Sequence, residues 1–168
     1  MITAALPTFA ATIPHPDHGV WRNIYGYRCD RLPIPPPPWW GSLWWAPKPL
    51  YEFTLAIRDP LTYVGADGRE YQPDRRYQTD KGTIPRPLQV LMPSDLFERS
   101  FLLHDSGYAF GGLWITGAFV VMTRAAVDAL LREMILAEGG TEVQAWMVYA
   151  AVRTFGFGGW RKGDQTAS

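Results

Sequence analysis

The segment "FLLHDSGY", residues 101–108, places a histidine and an aspartate side by side in an otherwise apolar stretch. On a helix, consecutive side chains point about 100° apart, so His104 and Asp105 face adjacent directions. Tyr108 lies one turn after His104 and shares its face. The imidazole can therefore turn toward one partner while the carboxylate turns toward another, such as a metal ion or a backbone amide.

Asp128 is the candidate partner of His104. It lies in a second predicted helix, in line with Arg124 and with two aliphatic residues of the same stripe, and a carboxylate that faces a core must be paired. Antiparallel packing of the two helices would let Asp128 accept a hydrogen bond from Nδ1 of His104, leaving Nε2 as a general base for water. Tyr108 would donate its hydroxyl to the same carboxylate. The same side chains could instead lock two helices together without any chemistry, and their spacing leaves both interpretations open.

A second polar cluster lies in "TDKGTIPR", residues 79–86. A loop that turns around a glycine can offer backbone carbonyls or amides to an ion. Calcium takes about six to eight oxygen ligands, so Asp105 would need such a loop, with Asp80, to complete a site; zinc or another divalent metal is an open alternative. A turn in which Asp80 caps the backbone and Arg86 pairs with a carboxylate is the other interpretation. The polar residues of this cluster are Thr79, Asp80, Thr83 and Arg86.

The middle of the chain predicts β-structure. Residues 51–57, "YEFTLAI", alternate in polarity and favour a strand. The segments "TYV" and "REYQ" flank the pair Asp67-Gly68, which is typical of a tight hairpin turn. Prolines at positions 85, 87 and 93 predict a loop over residues 75–93.

Helical periodicity follows this loop. Ser94 is a candidate N-cap for a helix over about residues 95–109, whose buried face would be Phe97, Phe101, His104 and Tyr108. "LWITGAFVVM" predicts a short hairpin or a packed connector. Two further helices are predicted. The first begins after an N-cap at Thr123 and ends at Gly139–Gly140, and the second begins with a capping box of Thr141 and Gln144 and ends at Gly156. The sequence therefore predicts an α+β fold, with a small β-hairpin or sheet followed by a three-helix C-terminal unit that contains an antiparallel helix pair.

The N-terminal part has a different composition. The whole chain contains 15 prolines and 8 tryptophans. In the N-terminal part, four consecutive prolines precede four of the tryptophans and favour an extended polyproline II structure. We expect residues 1–50 to form an extended arm, residues 51–160 a single α+β domain, and residues 161–168 a loose tail. So much indole surface either packs on its own domain or docks on a partner or a lipid interface. The four indoles are Trp39, Trp40, Trp44 and Trp45.

Composition excludes several classes of protein. Basic and acidic residues number 16 each, so no net charge favours nucleic acid as a partner. The single cysteine, Cys29, excludes a disulfide framework and a multi-cysteine zinc site. No stretch has the roughly 18 to 20 apolar residues of a transmembrane helix, and the start lacks the basic region of a signal peptide. We expect a soluble intracellular protein or one carried in a particle.

The ordered series "TDKGTIPR", "LLHDSGY", "TRAAVDALLREMI" and "VYAAVRTFG" resembles a family of phages and prophages, domain of unknown function 1353. The family pattern is T-D-x-x-S-I-P-R, H-D-x-x-Y, R-x-x-A-D and A-V-R-x-F-G, and the likeness covers about residues 70–157. Gly82-Thr83 and the alanines before Asp128 depart from this pattern.

The helical core is more distantly similar to the phospholipase A2 superfamily, in which an H-D-x-x-Y helix packs antiparallel to a helix that carries an aspartate. This resemblance implies that His104 activates water, that Asp105 binds calcium, and that Tyr108 and Asp128 orient the imidazole. The glycine-rich calcium loop and the disulfides of the secreted enzymes have no clear counterpart here.

Two functions follow as hypotheses. The first is a phage-encoded, metal-dependent hydrolase that acts on a lipid or another ester. The second is a virion or assembly component of a tail, neck or capsid, whose arm contacts other phage proteins or further copies of the chain, and in which the His-Asp cluster is only structural. The expected location is the virion or the host cytoplasm.

Overall fold

The computed structural model describes residues 18–32, 51–79, 96–156 and 160. Within these ranges the chain forms eight short strands and three helices, with one hairpin between the first helix and the second. The strands are β1 (Val20–Arg22), β2 (Tyr27–Arg31), β3 (Tyr51–Leu55), β4 (Thr62–Val64), β5 (Glu70–Gln72), β6 (Arg76–Thr79), β7 (Gly112–Ile115) and β8 (Ala118–Val121). The helices are α1 (Glu98–Phe110), α2 (Arg124–Ala137) and α3 (Glu142–Phe155). The predicted α+β class is confirmed.

The strands form two antiparallel sheets. The first sheet has the order β1-β4-β5-β7-β8, and the second has the order β2-β3-β6. The predicted hairpin is confirmed as β4 and β5, with Tyr63 opposite Tyr71. Gly68 in its turn has a φ of 76°, which glycine adopts without a steric cost. The stretch 113–122 is the hairpin of β7 and β8, which settles the choice between hairpin and connector.

Two expectations about irregular segments were wrong. Residues 20–31, assigned to an extended arm, contain β1 and β2, which pair with β4 and β3. Residues 76–79, assigned to a loop, form β6, which pairs with β3. In both cases the partner strand is distant in sequence, so pairing rather than local pattern makes the segment a strand. The division into arm, domain and tail otherwise stays a prediction, since residues 1–17, 33–50 and 161–168 lie outside the described ranges.

The two C-terminal helices begin where their caps predicted. The Thr123 hydroxyl accepts a hydrogen bond from the Ala126 amide at 3.2 Å, and Thr141 and Gln144 form the predicted capping box. These bonds satisfy amides that a helix leaves unpaired at its start.

The start of α1 differs from the prediction. The helix begins at Glu98 rather than near residue 95. Phe97 occupies the N-cap position and makes no side-chain capping bond, and the predicted cap, Ser94, lies outside the described residues. Glu138, at the end of α2, performs this role: its carboxylate accepts bonds from the Ser100 amide at 3.0 Å and from Arg99 Nε at 2.6 Å. The Ser100 hydroxyl donates to it as well.

Helices α1 and α2 pack antiparallel, as predicted. Glu138 at the end of α2 meets Ser100 at the start of α1, whereas Asp128 near the start of α2 meets Tyr108 near the end of α1. The α2 helix is also tied to the first sheet, because Glu133 accepts hydrogen bonds from the Tyr63 hydroxyl at 2.8 Å and the Ala66 amide at 2.7 Å. The position of Asp128 is thus fixed by contacts along the whole of α2.

The core has two parts on either side of α1. The larger part lies between α1, α2, α3 and the first sheet, and includes Leu103, Leu113, Leu131 and Met134, all with no exposure. The smaller part lies between α1 and the second sheet, where Phe53 and Tyr77 pack on Leu102 and Phe110. No helix among the described residues is long and apolar enough to span a bilayer.

Candidate functional site

The predicted pairing of His104 with Asp128 is present in the structure. Asp128 Oδ1 lies 3.0 Å from His104 Nε2 and accepts the Tyr108 hydroxyl at 2.6 Å. His104 is 4% exposed and Asp128 is fully buried. The ring of Tyr108 packs on the imidazole at a centroid distance of 4.3 Å, and Trp160 packs edge-on against Tyr108 at 5.1 Å. These contacts leave the imidazole little freedom to rotate.

The nitrogen that contacts Asp128 is the opposite of the one expected. The sequence-based hypothesis gave Nδ1 to Asp128 and left Nε2 as the base; in the structure Nε2 faces Asp128. Because an ionised carboxylate only accepts hydrogen bonds, Nε2 carries the proton and a neutral imidazole has its lone pair on Nδ1. Nδ1, on the other edge of the ring, is therefore the nitrogen that could act as a general base.

The second oxygen of Asp128 is held by arginines. Arg153 Nη1, from α3, donates to Oδ2 at 3.0 Å, and Arg124 Nε, one turn before Asp128, lies 3.5 Å from the same oxygen. Arg124 Nη2 also donates to the backbone carbonyl of Arg153. The carboxylate thus joins all three helices.

Hydrogen bonds and charges shift the pKa values of this cluster. Burial raises the pKa of the Asp128 carboxyl, but hydrogen bonds from His104, Tyr108 and Arg153 outweigh it and hold that pKa below its usual range. Burial lowers the pKa of His104, but the carboxylates of Asp105 and Asp128 outweigh burial and raise that pKa overall. Asp128 is therefore an anion that favours a positive charge on the imidazole.

Asp105 points away from Asp128, as the helical spacing predicted. Its Oδ1 lies 3.7 Å from Nδ1 of His104, beyond an ordinary hydrogen bond, and its side chain is 21% exposed. Burial, and then the negative charge of Asp105, raise the pKa of the Tyr77 hydroxyl, which places the carboxylate beside the second sheet. The Nδ1 face of His104 is thus bordered by a partly exposed carboxylate.

The described residues do not complete a metal site. No three histidine, cysteine, aspartate or glutamate side chains converge suitably within residues 18–32, 51–79 and 96–156. Asp105 alone provides far fewer than the about six to eight oxygens that calcium takes. Thr79 lies at the end of β6, opposite Tyr51. The other predicted members of this cluster and the four arm tryptophans lie outside the described ranges: Asp80, Thr83, Arg86, Trp39, Trp40, Trp44 and Trp45.

Arg153 was not assigned to the site from the sequence. The signal that could have found it is the A-V-R-x-F-G pattern, which places an arginine in the last turn of a largely apolar helix. The sequence placed Arg124 in line with Asp128 on the same helix, and the structure brings its Nε to 3.5 Å from Asp128 Oδ2.

Comparison with known proteins identifies the family. The chain belongs to DUF1353, a family described as proteins of unknown function, which it matches over residues 55–152. The predicted family is confirmed, although the match begins earlier than residue 70 and ends before residue 157. It includes His104, Asp105, Tyr108 and Asp128. No curated protein and no solved structure matches the chain significantly.

Proposed function

We propose that this protein is a hydrolase in which His104 activates water for attack on an ester. One observation carries the proposal: His104 Nε2 donates a hydrogen bond at 3.0 Å to the buried carboxylate of Asp128, and the Tyr108 hydroxyl donates to the same oxygen. An imidazole fixed in this way has its Nδ1 lone pair available as a general base. The H-D-x-x-Y spacing of His104, Asp105 and Tyr108 resembles that of phospholipase A2 enzymes, and on this resemblance we propose a phospholipid ester as the substrate class.

The proposed reaction uses the imidazole twice. Nδ1 takes a proton from water while the water oxygen forms a bond to the ester carbonyl carbon, and Asp128 stabilises the resulting imidazolium. The tetrahedral intermediate then breaks its bond to the alcohol oxygen, and Nδ1–H returns the proton to that oxygen. The products are a carboxylic acid and an alcohol, and the imidazole is neutral again.

We assign the substrate to the side of Asp105, because Asp128 occupies the opposite edge of the imidazole and Tyr108 packs against its ring. The phospholipase A2 resemblance also implies calcium bound by Asp105 and a loop such as that of Asp80. A calcium ion held there would polarise the ester carbonyl. Since the described residues do not complete such a site, the metal is a separate proposal with its own test.

The test of the hydrolase is a comparison of two histidine substitutions. Wild type, His104→Asn and His18→Asn are assayed on short-chain nitrophenyl esters and on phospholipid vesicles, each with calcium and with a chelator. We expect His104→Asn to lose about 10²- to 10⁴-fold in rate, as for the loss of a general base, while His18→Asn keeps the wild-type rate. A folded wild type that hydrolyses none of these substrates, or an active His104→Asn, would overturn the proposal.

The test of the metal is thermal. We expect calcium, or failing that zinc, to raise the melting temperature of wild type but not of Asp105→Asn. If neither metal shifts the melting temperature of wild type, the metal proposal falls, while water activation by His104 is still tested by the assays with a chelator.

A second proposal is a structural or assembly component of a phage particle, located in the virion. The burial of the cluster favours it, since His104 is 4% exposed and Asp128 not at all, as in a lock between helices. Its partners would be other particle proteins or further copies of the chain, bound through the tryptophan-rich segment, whereas the hydrolase would work in the host cytoplasm or at a lipid interface. Replacing all four arm tryptophans by serine should give a folded product that fails to assemble; normal assembly would contradict this second proposal.

A further inference from the structure

The two oxygens of Asp128 have separate partners. Oδ1 accepts from His104 and Tyr108, the residues of α1, and Oδ2 faces Arg153 of α3 and Arg124 of its own helix. A carboxylate held at only one oxygen can turn about its terminal torsion, which is broad for aspartate. Partners at both oxygens fix the plane of the carboxylate.

Arg153 is the stronger partner of Oδ2 by geometry. Its Nη1 lies at 3.0 Å from Oδ2, within the range of an N–H···O hydrogen bond, whereas Arg124 Nε lies at 3.5 Å, beyond that range. Arg124 Nη2 is also engaged by the carbonyl of Arg153, so its guanidinium is not free to move closer to Oδ2. The Arg153 side chain is 38% exposed, and its loss therefore leaves no large buried cavity.

Charge favours the same assignment. Asp128 is fully buried, and a buried anion is costly unless cations and hydrogen bonds compensate it. The imidazole of a general base is neutral for part of each turnover, so it cannot provide that compensation throughout. A guanidinium remains charged at every working pH and can do so.

We propose that Arg153 is a positioning residue, which holds Asp128 so that Oδ1 stays aligned with His104 and the imidazole proton stays on Nε2. This inference rests on the proposed function for its catalytic meaning, but the state of the imidazole can be measured without any substrate. The residue links the end of α3 to the base on α1 through a single carboxylate.

The experiment is nitrogen NMR of the histidine rings in ¹⁵N-labelled protein, at a pH where His104 is neutral. In wild type we expect a single tautomer with the proton on Nε2. In Arg153→Met we expect the shifts of the two ring nitrogens to move toward each other, as the tautomers mix. Arg153→Lys, which can still donate to Oδ2, should restore most of the separation.

The matched control is Arg132→Gln. Arg132 also joins α2 to α3, through a hydrogen bond to Glu142 at 2.7 Å, but it does not contact Asp128. We expect its histidine spectrum to equal that of wild type. Circular dichroism and thermal melting establish that each variant is folded; if Arg153→Met does not fold, Arg153→Gln takes its place.

Unchanged ring-nitrogen shifts in a folded Arg153→Met would overturn the proposal, since Arg153 would then have no effect on the imidazole. Equal changes in Arg132→Gln would overturn it as well, because they would assign the effect to helix packing in general. Where wild type is an active hydrolase, Arg153→Met should also lower kcat about tenfold or more with little change in KM, because misalignment affects the reacting group rather than binding. If wild type is inactive but has a single Nε2 tautomer that Arg153→Met disturbs, the hydrolase proposal is refuted and the positioning role of Arg153 is retained.

Discussion

Gly107 of α1 lies directly against Val127 of α2. A Cβ atom added at Gly107 would come within 2.8 Å of Val127 Cγ1, closer than side chains normally approach. Val127 is fully buried and immediately precedes Asp128. The absence of a side chain at Gly107 therefore allows the two helices to approach closely enough for His104 to reach Asp128.

We expect Gly107→Ala to destabilise the protein although alanine favours a helix. The gain in helix propensity is about 1 kcal/mol, whereas overpacking a core costs about 1 to 3 kcal/mol and should also weaken the bond between His104 and Asp128. Chemical denaturation measures the free energy of unfolding. In the background of Val127→Ala, where the clashing methyl groups are gone, the same change should cost less or stabilise. Equal costs in the two backgrounds would contradict the steric explanation.

Asp128 gives the stability a pH dependence of definite sign. Because hydrogen bonds hold its folded pKa below the ordinary 3.8, it stabilises the fold above pH 3.8, and this contribution is lost as the pH falls through the folded pKa. We expect urea denaturation at a series of pH values to show this acid loss.

The control for this dependence is Tyr108→Phe, which removes one donor to Asp128. Its folded carboxyl pKa should lie nearer to the unfolded value, so the acid loss should be smaller than in wild type. The substitution should also cost about 1.5 kcal/mol near neutral pH, as for a hydrogen bond to a charged group. Identical pH profiles for the two proteins would show that Asp128 does not carry the effect.

Glu138 should matter far more to stability than a neighbouring glutamate. Its side chain is 1% exposed and is bound by Arg99 and Ser100, so we expect Glu138→Ala to cost about 3 kcal/mol, as for a broken buried ion pair. Glu142, whose side chain is 60% exposed, pairs with Arg132 at the surface, and Glu142→Ala should cost less than about 1 kcal/mol. Thermal melting and urea denaturation compare the two; similar costs would argue against a buried cap.

The segment that matches the family should not fold by itself. Residues 55–152 lack β1, β2 and nearly all of β3, including the fully buried Phe53, and they end before Arg153. We expect this fragment to lack a cooperative thermal transition, whereas a fragment of residues 18–160 should retain one. A cooperative transition in the shorter fragment would show that the second sheet is dispensable.

The elements that could be predicted from the sequence depend on neighbouring residues. The caps at Thr123 and Thr141 and the turn at Asp67-Gly68 each form within a few positions, so local pattern is enough. Strands β2 and β6 were missed because they exist by pairing with the distant β3. Strand β6, with four residues of sequence RYQT, also gives almost no alternation of polar and apolar residues to detect.

The candidate site was predicted in part for a similar reason. His104, Tyr108 and Asp128 follow from helical spacing and from the need to pair a carboxylate on an apolar stripe. The choice of ring nitrogen depends on the rotamer of His104, which helical spacing does not determine. Arg153 was missed because a basic residue in the last turn of a helix already has a common explanation, the helix dipole.

The cap that Glu138 provides has a consequence for the order of folding. Ser100 and Glu138 are 38 positions apart, so the first turn of α1 acquires its cap only after the chain has closed a long loop. A nascent α1 would fray at that end until α2 docks, and the amide of Ser100 should exchange with solvent on the timescale of docking rather than of local helix formation. The cap at Ser100 and the pairing of His104 with Asp128 both depend on the closure of the same two helices, so we expect them to form together.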